Sequence, residues 1–97
     1  MKFGLEKMVN INDAQFYHSA KRCAERYQIR ITRQQWRWMS NLIKNSAPCV
    51  KFVRWNKVRG KINSRKSVWK INIDAELCFL VAYDSALQNI STFLYPE

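Results

Sequence analysis

Carboxylates are scarce in this chain: seven Asp and Glu stand against seventeen Lys and Arg, a formal charge of +10 on 97 residues. No cluster of acids that could hold two metal ions stands out among them. Glycine and proline number two each, which excludes collagen-like and low-complexity disordered chains and leaves no glycine-rich phosphate loop. There is no GxSxG elbow and no HExxH pair. The three cysteines, Cys23, Cys49 and Cys78, form no CxxC spacing and are odd in number, so neither a disulfide framework nor a zinc site is suggested. Each sits among apolar neighbours and reads as a small buried hydrophobe. The opening MKFGLEKMVN has no long apolar core and no small-residue cleavage site, and no apolar run approaches ~18 residues. The expectation is a soluble protein of a reducing compartment, the cytoplasm by default, with no membrane partner and no cofactor.

What is present supports folding. Hydrophobic residues make up 47%, including four Trp, five Phe and four Tyr, enough for the core of one small domain. Phe16, Ala20, Cys23 and Tyr27 recur at helical spacing behind a capping-box pattern at Asn12 to Gln15, which predicts a helix over 13–28. Thr32 to Gln35 repeats the pattern ahead of Trp36, Met39, Leu42 and Ile43, predicting a second helix over 33–45 that stops before Pro48. Beyond it the period becomes strand-like: CVKFVRW (49–55), the alternating SVWKINI (67–73), the continuously apolar LCFLVAY (77–83) and ISTFLY (90–95). Residues 56–66, with Gly60 and many cations, read as a loop or irregular edge, and Asp74-Ala75-Glu76 as a turn. The fold class that follows is α+β, with two N-terminal helices packed on one face of a three- to four-stranded antiparallel sheet.

The charge is segregated. Residues 51–70 hold eight Lys or Arg and no acid, whereas 71–97 hold four acids and no Lys or Arg. A block of this kind calls for a polyanionic partner. Trp55 and Trp69 are interleaved with its cations, a composition suited to phosphate contact and base stacking; Trp69 continues the Ile71/Ile73 face and is expected in the core. Arg59, Lys61, Arg65 and Lys66 are the candidate phosphate ligands. In the last strand Ser91 and Thr92 point to opposite faces in regular geometry, so only one can donate to a phosphate on a given face. Tyr83 and Tyr95, at strand ends, are weaker candidates.

The only histidine is His18. On a helix it is followed at four-residue intervals by Arg22 and Arg26 along one side, with Glu25 beside them to orient the imidazole or pair with Arg22. That side nearly opposes the apolar stripe, so a solvated outer face is the competing reading. If His18 is catalytic, the helix must turn this side toward the basic end of the sheet. RNA cleavage needs little more than such groups, because the 2′-hydroxyl supplies the nucleophile and the protein need only move protons and neutralise charge.

The run His18-x3-Arg22-x3-Arg26 followed by Ile29 resembles the "HxxxRxxxRGI" opening helix of the domain of unknown function 4258 family. VWKINI, LCFLVAYD and ISTFLYP resemble its closing "y.v", "lvVvyd" and "ivTvlp" strands. Where that family has Gly after the second Arg, this chain has Tyr27 and Gln28. Similar helix-then-sheet layouts occur in the barnase, colicin and RelE-like ribonuclease toxins. The resemblance implies a small, basic, metal-independent endoribonuclease, a toxin or phage effector. In it His18 is general acid or base, Arg22, Arg26 and Arg65 stabilise the transition state, and Thr92 donates a hydrogen bond. RNA is the expected partner, and an acidic antitoxin or immunity protein a second one. The alternatives are a non-catalytic nucleic-acid-binding protein and a basic inhibitor of an acidic host protein.

Overall fold

The computed structural model describes residues 11–96. The opening MKFGLEKMVN, read above as no signal sequence, lies outside them. Helix α1 spans Ile11–Tyr27, with Asp13 in its first turn and Arg26 in its last, both placed favourably for the helix dipole. It already includes Asn12, which is therefore not the N-cap that the sequence pattern suggested. The helix stops where Gln28 takes a positive φ of 56°. Helix α2 spans Arg33–Lys44 and carries the expected capping box: Thr32 Oγ1 accepts from the Gln35 amide at 3.1 Å, and Gln35 Oε1 accepts from the Thr32 amide at 2.8 Å.

Four antiparallel strands follow, β1 (Val50–Val58), β2 (Lys61–Asn72), β3 (Cys78–Asp84) and β4 (Asn89–Phe93), in the spatial order β1-β2-β3-β4. The α+β class expected from the sequence is the class observed. Of the two readings of 56–66, the irregular edge holds and the loop is corrected: after a register shift between Trp55 and Asn56, the segment forms the end of a long β1/β2 hairpin at the sheet edge, in which Val58 pairs with Lys61. Arg59 and Gly60 have φ of 54° and 79°, the two positive values that a type I′ hairpin turn requires. With Arg where Asn or Asp usually stands, the turn carries only half of its usual sequence signature. The Asp74 turn forms as expected, its Oδ1 accepting from the Glu76 and Leu77 amides at 2.8 and 2.9 Å.

One face of the sheet carries the core. Val50, Ile71, Phe79, Val81, Tyr83, Ile90 and Phe93 pack with Cys23, Ile31, Trp36, Met39 and Ile43 from the helical half. Tyr83, weighed above as a site residue, belongs to this core. On the opposite face Val68, Leu80 and Ala82 are also buried, so β3 is covered on both sides, as its continuous apolar run implied. The cysteines divide: Cys23 is buried, which pushes its thiol up to about 11, but Cys49 is half-buried and Cys78 exposed. Cys78 faces outward because it is the first residue of β3, ahead of the covered stretch.

The helices also seal the outer edge of β4. Ser19 Oγ and Trp36 Nε1 each donate to the Ile90 carbonyl at 3.1 Å, and the Ile90 amide donates to Ser40 Oγ at 3.0 Å. Arg26 Nη1 donates to the Phe93 carbonyl at 2.8 Å. Side chains thus take the place of a fifth strand and keep the edge from pairing with another chain. At the other edge, β1 bears Lys51, Arg54 and Lys57 and a register shift between Phe52 and Arg54, two features that discourage edge-to-edge pairing.

Candidate functional site

Burial of Ser19 decides what His18 faces. Successive residues of an α-helix turn by about 100°, so an apolar stripe at Phe16, Ala20, Cys23 and Tyr27 would leave His18 pointing to open solvent. Ser19 is fully buried against Ile90 and Arg26 is bonded to Phe93, which widens the buried arc on the flank that leads to His18. The helix therefore lies along β4 with His18 at its shoulder. There Ala14, Gln15 and His18 form one wall of a shallow cleft of about 320 Å³ whose other lining residues are Lys66, Ser91 and Thr92.

Ser91 and Thr92 share this cleft because the strand is irregular. Tyr83 pairs with Ile90 but Ala82 pairs with Thr92, so Ser91 is the extra residue of a β-bulge. The regular alternation assumed from the sequence, which put the two on opposite faces, is corrected here. Ser91 Oγ donates to the Ala82 carbonyl at 3.2 Å, which commits its proton and leaves Thr92 as the hydroxyl for phosphate donation. Gln15 also lines the cleft, and its buried Oε1 has no hydrogen-bond partner among the described residues. In the sequence Gln15 reads only as a capping residue; the packing of α1 along β4 brings it beside Ser91 and Thr92.

The arginines are used differently. Arg22 pairs with Glu25 at 2.9 Å, so Glu25 serves the arginine rather than the imidazole. Arg26 is part of the β4 edge and stacks over the Tyr95 ring at 4.0 Å from its centroid. Arg65 Nε donates to both carboxylate oxygens of Asp84 at 2.9 and 3.0 Å. Asp84 is buried and also accepts from the Ala86 and Leu87 amides at 2.9 and 3.1 Å. Burial opposes its charge, but Arg65 and these amides outweigh burial and hold its pKa below the ordinary 3.8. Lys66 approaches the same carboxylate at 3.9 Å while lining the cleft. None of Arg22, Arg26 and Arg65 lines the cleft. Arg59 and Lys61 are exposed at the hairpin tip, and Trp55 is exposed on β1.

The His18 imidazole has its pKa lowered from 6.5, by desolvation first and then by the cations Arg22, Arg26 and Lys21, with Glu25 opposing. It is neutral at neutral pH and able to accept a proton. The cleft thus offers a neutral base, an ammonium group, a hydroxyl and an amide within one lining. No group of three or more His, Cys, Asp or Glu side chains that could hold a metal ion is found among the described residues. Nor, among them, is any helix long and apolar enough to cross a membrane. No family of known proteins, no curated protein and no solved structure matches the chain.

Proposed function

We propose that the chain is a metal-independent endoribonuclease whose site is the cleft between α1 and the bulged strand β4. The observation that carries this reading is that His18, Lys66, Ser91 and Thr92, distant in sequence, line one depression. In the proposed reaction neutral His18 takes the proton of a ribose 2′-hydroxyl as its oxygen attacks the adjacent phosphorus. The bond to the 5′-oxygen breaks, and that oxygen takes a proton from solvent. Lys66 neutralises the charge that builds on the phosphoryl oxygens, and Thr92 donates a hydrogen bond to one of them. The products are a 2′,3′-cyclic phosphate and a 5′-hydroxyl. Arg22 acts at one remove, adding to desolvation in disfavouring the imidazolium of His18, while Arg65 serves the fold through Asp84.

This reading keeps the roles that the resemblance to the 4258 family and to toxin ribonucleases implies for His18 and Thr92 and gives to Lys66 the charge-neutralising role implied there for Arg22, Arg26 and Arg65; an acidic antitoxin or immunity protein would cover the same basic cleft. The test is incubation of RNA with the protein in excess chelator. Fragments ending in 2′,3′-cyclic phosphate support the reading, and cleavage only after metal addition contradicts it. RNA that stays intact yet binds with steep salt dependence makes the chain a nucleic-acid-binding protein without catalysis.

A further inference from the structure

A second surface, on the β1/β2 hairpin, is built from residues that the cleft does not use. In a regular strand Phe52 and Trp55 would face opposite ways. The register shift after Phe52 removes that alternation: Phe52 pairs with Trp69 and Trp55 with Ser67, and paired residues share a face. Both rings therefore lie on the face that, further along the sheet, carries the core. The helices pack on that face chiefly against β4, and at β1 the rings remain uncovered, with Phe52 47% and Trp55 45% exposed.

The rings are held in place. Phe52 meets Trp55 at 5.4 Å and 64° and Trp69 at 5.5 Å and 80°, edge against face, and Trp69 Nε1 is anchored on Ser67 Oγ at 2.8 Å. Tilted packing fixes Trp55 without covering the outer side of its indole. Phe52, Arg54, Trp55, Asn56, Lys57 and Ile62 surround a depression of about 550 Å³, within the ~300–1,000 Å³ range of small-molecule sites.

We infer that this hairpin surface binds an unpaired stretch of nucleic acid, one base stacking on Trp55 and a flanking phosphate meeting Lys57. Charge selects this occupant: residues 51–70 contain eight cations and no acid, which suits a polyanion with flat apolar bases better than an apolar protein face. Asn56 spends its Oδ1 on the Lys57 amide at 3.2 Å, leaving its NH₂ to meet a base edge. The inference shares with the proposed function the idea of a nucleic-acid partner, but it requires no catalysis.

Fluorescence anisotropy with labelled oligothymidylate of about 12 nucleotides tests it. DNA has no 2′-hydroxyl, so binding is read whether or not the chain cleaves RNA. Trp55→Ala is expected to weaken binding roughly 5- to 100-fold, with Trp55→Tyr restoring most of it. Lys57→Gln should lower the slope of log affinity against log salt by about 0.7. A duplex of the same length should bind less tightly than the single strand. Unchanged affinity in both Trp55→Ala and Phe52→Ala, each with the wild-type circular dichroism spectrum, would overturn the inference. So would competition by polyglutamate as effective as that by oligothymidylate, which would indicate an acidic protein as the partner.

Discussion

Ser19 and Ile90, separated by 71 positions in the chain, are joined by a hydrogen bond from the Ser19 hydroxyl to the Ile90 carbonyl, and both are fully buried. This contact fixes the rotation of α1 against β4, and with it the position of His18. Trp36 Nε1 shares the same carbonyl. Ser19→Ala should therefore cost only about 1 kcal/mol, since the acceptor keeps one donor. Combined with Trp36→Phe it should cost more than the sum of the two single changes, because the carbonyl is then left buried and unpaired. Urea denaturation of the four proteins checks this, and strict additivity would contradict it.

Asp84 ties the hairpin to the β3/β4 turn, accepting from Arg65 and from two backbone amides. Asp84→Ala should lower stability by about 2–4 kcal/mol, and Asp84→Asn by less, because the amide oxygen still accepts from Ala86 and Leu87. The pH dependence follows from the lowered pKa. As pH falls below 3.8 the unfolded chain takes up this proton before the folded one does, so stability present above 3.8 is lost as pH drops toward the folded value. Urea midpoints at neutral pH and at about pH 3 should differ less for Asp84→Asn than for wild type.

His18 should titrate below 6.5, since desolvation and three nearby cations all disfavour the imidazolium. Being the only histidine, it can be followed by NMR without assignment of others. Arg22→Gln removes one cation and frees Glu25, so the midpoint should rise. If His18 is the base, the rate of RNA cleavage climbs with pH through this same midpoint and then levels. A midpoint above 6.5 in wild type would contradict the electrostatic picture of the cleft.

Much of this architecture is legible locally. The Thr32 capping box, the alternation of Trp69, Ile71 and Ile73, and the unbroken apolar run of β3 each state their element in a few neighbouring residues. What stays hidden depends on partners far along the chain. The bulge at Ser91 is a mismatch between β3 and β4, and the shift after Phe52 a mismatch between β1 and β2; neither has a local signature, yet each decides which side chains share a surface. Arg65 looked like a phosphate ligand because its neighbours are cations, whereas its partner Asp84 lies 19 residues away. His18, Lys66, Ser91 and Thr92 each stand out in the sequence as candidates, but that they line one depression, and that the arginines turn elsewhere, is not legible there.

The most direct test of the account is the single-turnover cleavage rate of an RNA oligonucleotide in chelator, compared for wild type, His18→Ala, Lys66→Ala and the double variant. Metal-independent cleavage by wild type is expected, with a loss of roughly 10²- to 10⁴-fold in His18→Ala, a smaller loss in Lys66→Ala, and a double variant little worse than His18→Ala alone because the two groups serve one transition state. RNA left intact by the wild-type protein, or cut equally fast by His18→Ala, would contradict it.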